Sequence, residues 1–116
     1  MPTITKNDLV YFENKLFLSM LMKILETDLE LFSKLPFKLP RPYTKRIESA
    51  LKQAKFDLKR TETYMLRNNM RAVRWDKRDS EVEYAFISAG VEEHVTYTSE
   101  ELKNRTEELL EKYLHS

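Results

Sequence analysis

Apolar residues recur along this chain with two different periods, and the change between them divides it into parts. In residues 5–34 the polar positions Lys15, Ser19, Lys23, Glu26, Glu30 and Lys34 trace one narrow stripe at helical spacing. Nearly everything else from Leu16 to Phe32 is apolar. This predicts a first helix over 5–34, opened by Thr5 and Asp8 at capping-box spacing. Its apolar arc is wider than one core-facing side requires. Either the helix is central, with elements packed on two sides, or Phe17, Leu18, Met20, Leu21, Met22 and Leu25 also form a contact between copies of the chain.

Residues 35–42, LPFKLPRP, cannot continue a helix, because Pro36, Pro40 and Pro42 remove backbone donors and push their neighbours toward extended backbone. A second helix is expected over 43–69. Tyr43, Ile47, Ala50, Leu51, Ala54, Leu58, Thr61 and Met65 share one face, and Asn68-Asn69 is a candidate C-cap. Two such helices joined by a short connector should form an antiparallel hairpin.

The period then falls to two. Met70–Asp76 alternates Arg71, Val73 and Trp75 with Ala72, Arg74 and Asp76, and Glu81–Ser88 alternates Val82, Tyr84 and Phe86 with Glu83, Ala85 and Ile87. A four-residue loop at Lys77–Ser80 would set Trp75 opposite Val82, Val73 opposite Tyr84 and Arg74 opposite Glu83, giving one apolar face. The segment 91–97, VEEHVTY, fits a third strand, with Gly90 available for the turn. It also fits one helical face that runs on through Leu102, Leu109 and Tyr113. The strand is favoured, because Thr98 or Ser99 followed by Glu makes a good helix start for a last helix over 99–116. The expectation is a single α+β domain over 1–116: a long helical hairpin, an antiparallel β-meander over 70–98, and a C-terminal helix.

Charge changes the picture. The net charge is only +1, but the thirteen bases and five acids of residues 38–79 give that stretch +8, while residues 80–116 carry three bases and nine glutamates. Lys52, Phe56, Lys59 and Arg60 share the outer face of the second helix, and Arg67, Arg71 and Arg74 extend it into the first strand. A nucleic acid could use such a surface, with lysines and arginines on phosphates and an aromatic on bases. The second helix lacks the short turn and recognition helix of a helix-turn-helix motif. The competing expectation, and the favoured one, is self-neutralisation, by Glu48–Lys52 and Asp57–Arg60 pairs and by the C-terminal glutamates lying against the basic face.

Composition excludes much catalysis. A single glycine, Gly90, cannot build phosphate-cradling loops, dinucleotide fingerprints or nucleophile elbows. The absence of cysteine removes disulfides and thiolate chemistry. Glu92, Glu93 and His94 are the one cluster of metal-ligand types, and on a strand only Glu92 and His94 share a face. No cofactor and no enzyme activity are expected. The N-terminus lacks a signal-peptide layout, and the most apolar run, Leu16–Leu25, is about half a membrane span in length. A cytoplasmic protein without a membrane partner is expected, one that associates with itself or another protein, with nucleic acid as the alternative.

From Pro42 through Leu114 the chain resembles the YhjD-like family of small proteins from Bacillus and related spore-formers. The resemblance rests on Arg41-Pro42-Tyr43, on Tyr64, Met65, Asn68 and Asn69 closing the basic helix, and on Arg71-x-Val73-Arg74. It continues with Glu83-Tyr84-x-Phe86, then Gly90-x-Glu92-Glu93-His94, and Asn104-Arg105-Thr106-Glu107-Glu108-Leu109-Leu110. Ser99-Glu100 stands where the family would have Asn-Pro; both start helices. The resemblance implies a small cytosolic bacterial protein and brings no activity, cofactor or site residues.

Overall fold

The computed structural model describes residues 4–115. Helix α1 spans Lys6–Lys34 and α2 spans Arg41–Arg67; strands β1 (Met70–Lys77), β2 (Glu81–Ser88) and β3 (Val91–Thr98) follow, then α3 (Ser99–Leu114). The class is α+β, as expected, and β3 is a strand. The Thr5 hydroxyl accepts from the Asp8 amide at 3.1 Å and caps α1; the Thr98 hydroxyl accepts from the Glu101 amide at 3.0 Å and caps α3. Helix α2 starts two residues earlier than the periodicity indicates, because Arg41-Pro42 already form its first turn. It ends at Asn68, and Asn69 turns out of the helix with φ 52°.

Helix α1 is central. Near its N-terminal half, Phe12 stacks on Phe86 of β2 at 4.8 Å, within a core that also holds Leu16, Phe17, Met65, Met70 and Tyr97. Farther along, Leu18, Leu21 and Leu25 pack on Ile47, Ala50 and Ala54 of α2. The proposed contact face between copies is thereby occupied. Phe17, Leu18, Leu21 and Leu25 are buried in the chain's own core, and Met20 and Met22 are half-buried at its edge. Four of the six side chains are thus taken up by the chain's own core, and Met20 and Met22 stay partly exposed.

The strands form an antiparallel sheet in the order β1-β2-β3. Its β1–β2 register differs from the expected one. The turn is two residues, Asp79-Ser80, closed by Arg78 N–H to Glu81 O at 2.8 Å, and Lys77 lies opposite Val82. A bulge falls at Trp75, so Asp76 faces Glu83 while Arg74 faces Tyr84 and Val73 faces Ala85. The cause lies at the start of the strand. Left-handed Asn69 delivers Met70 straight into the core, and alternation then sends Ala72 and Arg74 to the helix-facing side and Arg71 and Val73 outward. The bulge reconciles that parity with the turn and leaves Trp75 on the surface, 61% exposed.

The β2–β3 turn is Ala89-Gly90, with φ 50° and 85°. Positive φ at both central residues is the type I′ geometry that suits strand twist, and Ala89 occupies a position better filled by Asn or Gly. Ala89→Asn is therefore expected to stabilise the fold by roughly 0.5–1 kcal/mol and to raise the thermal midpoint by a few degrees. An unchanged or lower midpoint in calorimetry would show that the strain is relieved elsewhere. In the core, Phe12→Ala should destabilise by about 3–5 kcal/mol in denaturant titration.

Candidate functional site: an open basic surface

Side chains on α2 that point away from α1 are set by the same 3.6-residue period that buries Ile47, Ala50, Ala54 and Met65. Lys52, Phe56, Lys59, Arg60 and Arg67 all lie exposed, and Phe56 is 58% exposed with the Arg60 guanidinium 5.9 Å above its ring. Lys45 and Lys55 add to the same exposed run. The strip does not continue whole into β1. Arg71 and Arg74 are exposed but lie on opposite faces of the sheet, three residues apart on an alternating strand.

Among the described residues no ion pair neutralises this surface. Among the described residues the ion pairs join Lys15 to Glu62, Lys34 to Glu30, Arg78 to Asp76, Glu81 and Glu83, His94 to Glu83 and Glu92, and Arg105 to Glu13 and Glu101. None involves Lys45, Lys52, Lys55, Lys59, Arg60, Arg67, Arg71 or Arg74. The expected Glu48–Lys52 and Asp57–Arg60 pairs do not form; Asp57 instead accepts from Gln53 and from the Tyr113 hydroxyl of α3.

The expectation that the C-terminal glutamates cover the basic face is corrected by where α3 docks. It packs beside α1 and α2 through Arg105, whose guanidinium donates to Glu13 at 2.8 Å and lies 4.3 Å over Phe17. Tyr97 donates to the same Glu13 carboxylate at 2.7 Å. Glu107, Glu108 and Glu111 are left facing solvent. The three helices enclose an open cleft of about 680 Å³, lined in part by Asn7, Tyr11, Arg60, Tyr64, Glu108 and Lys112. Tyr11 and Tyr64 stack at 3.7 Å across one wall. The strongest polar groups of the cleft, Glu13 and Arg105, are spent on each other, and no buried side-chain polar atom among the described residues lacks a partner. The cleft reads as a helix-docking seam.

A second polar cluster lies on the solvent face of the sheet. His94 Nδ1 meets Glu83 at 2.5 Å and Nε2 meets Glu92 at 2.7 Å, with Trp75 edge-on to the ring at 5.0 Å. Glu92 shares the face of His94, as the strand pattern requires, while Glu93 points to the other side and accepts from the Ile4 amide. Glu83 enters only through cross-strand pairing. Two carboxylates on two ring nitrogens call for a proton on each, so this is an imidazolium clamp, and among the described residues no three ligand-type side chains are placed to hold a metal ion.

These two clusters give stability opposite pH dependences. Burial pushes the Glu13 carboxyl up, but the hydrogen bonds from Arg105 and Tyr97 and the charge of Arg105 together hold it below its ordinary 4.5. Its contribution is present above that value and is lost as acid protonates it in the folded state. The hydrogen bonds to Glu92 and then Glu83 raise His94 above its ordinary 6.5. Its contribution is complete below 6.5 and is lost as pH rises through the elevated value. Both contribute fully between about 4.5 and 6.5, where thermal stability should peak. His94→Gln should flatten the alkaline side of that profile. Parallel decline of the variant and the parent above 6.5 would remove His94 from the account.

No curated protein and no solved structure matches the chain. Residues 3–116 match the family described as YhjD protein, almost the whole length and well beyond the stretch in which the resemblance is legible. The chain belongs to the YhjD protein family.

Proposed function

We propose that this chain is a non-enzymatic interaction protein that binds an anionic macromolecule through the basic surface of α2. The observation that carries the reading is the absence of ion pairs on that surface among the described residues, although nine glutamates follow it in sequence. Unpaired, solvated cations on a rigid helix can release counterions to a polyanion without first breaking internal contacts. A nucleic-acid partner would use exposed Phe56 beneath Arg60 as a place where a base could stack.

The non-enzymatic part of the reading is supported by Glu13, Tyr97 and Arg105 at the cleft and by Glu83, Glu92 and His94 on the sheet, which already bond one another.

Two polyanions, a mixed-sequence oligonucleotide and vesicles containing an anionic lipid, separate the partner classes when titrated at low and at physiological salt. Affinity should fall steeply with salt, with a slope of about −0.9 per phosphate neutralised on duplex DNA. Replacing Lys52, Lys55 and Lys59 together by Glu should weaken binding by at least about tenfold. If this triple charge reversal leaves both polyanions bound as before, or if neither binds the parent even at low salt, the reading fails.

A further inference from the structure

The end of the helical hairpin carries an exposed apolar cap within the basic half of the chain. The chain leaves α1 in extended backbone at Leu35, before Pro36, and enters α2 through Pro40 and Pro42, so residues 35–40 form a short connector whose side chains all stay exposed. Phe32, Phe37 and Tyr43 form a cluster of rings, with centroids 5.4–6.2 Å apart. Around it Leu31 is 54% exposed, Leu35 46% and Leu39 75%. Of the eleven large apolar side chains that are exposed among the described residues, five (Leu31, Leu35, Phe37, Leu39 and Tyr43) lie on this tip. That concentration separates a patch from ordinary scattered exposure.

The charge along residues 31–47 is of one sign, with Glu30 and Glu48 flanking that stretch. Residues 31–47 contain Lys34, Lys38, Arg41, Lys45 and Arg46 and no acid. Lys34 pairs with Glu30 at 3.1 Å, and Arg46 donates to the Leu114 carbonyl at the end of α3. Lys38, Arg41 and Lys45 have no ion pair among the described residues. The C-terminal end of the α1 dipole and the N-terminal end of the α2 dipole meet at this tip and offset each other, so the positive charge is that of the side chains.

We propose that this tip docks on the surface of an anionic lipid bilayer, seating Leu35, Phe37 and Leu39 at the boundary of headgroups and acyl chains while Lys38, Arg41 and Lys45 engage the lipid phosphates. The inference rests on the anionic-partner reading and names its partner. Charge and shape choose the occupant. Aliphatic Leu35 and Leu39 cannot stack on bases and gain nothing from a phosphodiester backbone. A second copy meeting tip to tip would set like charges against each other at close range. The patch is a protruding hairpin end and not a groove, so it suits a deformable layer that takes in protruding side chains. An anionic bilayer satisfies the cations and the leucines together, and lysine and arginine stems can lie along its apolar boundary while their heads stay in water. Attachment of this kind is peripheral. Among the described residues no helix is long and apolar enough to cross a membrane. The sequence expectation of no membrane partner came from the lack of a span, which does not bear on surface docking.

The test is sedimentation of the full chain with vesicles of phosphatidylcholine mixed with phosphatidylglycerol, against phosphatidylcholine alone and a mixed-sequence oligonucleotide. Binding is expected to the anionic vesicles and not to the neutral ones. Leu39→Ser, at the most exposed position of the tip, should lower vesicle partitioning by about fivefold and leave oligonucleotide affinity unchanged. Lys38→Glu with Arg41→Glu should lower it by at least about tenfold. Leu39→Trp in a Trp75→Phe background reports insertion directly: its emission should move to the blue on anionic vesicles and be quenched by brominated lipid. Vesicle binding that ignores both tip variants and gives no blue shift would overturn the tip proposal while leaving anionic binding by α2 in place. Oligonucleotide binding without vesicle binding would overturn it in favour of nucleic acid. Binding to neither polyanion would remove the underlying reading as well.

Discussion

The fold depends on the two-sided burial of α1. Its wide apolar arc is covered mainly by the sheet toward one end and by α2 toward the other, with α3 contributing to both, so Phe12 and Leu21 are both fully enclosed in separate clusters. One helix serving two cores explains how 116 residues sustain an extended body with dimensions of 59 × 33 × 18 Å. It also decides what remains outside. Each apolar residue of α2 that faces α1 fixes a charged one facing away, so the basic strip is the geometric complement of the core and is as rigid as the core is.

The docking of α3 completes that division. Its start is set by the Thr98 cap directly after β3, and its path is held by Arg105 between Glu13, Tyr97 and the Phe17 ring. A partly buried guanidinium that donates to a carboxylate and covers an aromatic face is far more restrictive than an exposed pair. With α3 fixed on that flank, none of its glutamates pairs with Lys52, Lys55 or Lys59 among the described residues, and Glu108 shares the cleft with Arg60 without an ion pair to it.

What could be read from the sequence was what local rules govern. The helical stripes, the asparagine exit from α2, the strand identity of 91–97 and the caps at Thr5 and Thr98 each follow from a few consecutive residues. The β1 register did not, because its parity is set at Met70 by the core and not by the alternation of Val73 and Trp75. Val73 and Trp75, which look best for an inner face, are sent outward by that parity, and the bulge follows Val73. Glu83 joined His94 only through cross-strand pairing. Phe17, Leu18, Leu21 and Leu25 suggested a surplus of apolar surface that the fold consumes, since periodicity counts apolar residues without showing how many elements will cover them. Conversely, Leu35 and Leu39 in a proline-rich connector read as spacer, and their exposure is settled only when the hairpin closes.

The near-zero net charge gains meaning from this arrangement. The +8 of residues 38–79 and the −6 of residues 80–116 are separated along the sequence and only partly in space, since Arg78 pairs with Glu81 and Glu83 while the cations of α2 have no ion pair among the described residues. On the proposed reading, an anionic surface would act on those unpaired cations at distances within a Debye length, about 10 Å at moderate salt. Charge alone cannot hold the contact once salt screens it. Desolvated leucines are not screened. A surface that places both on the same end of a rigid hairpin has one component that attracts and another that retains, and neither is contributed by the residues that hold the fold together.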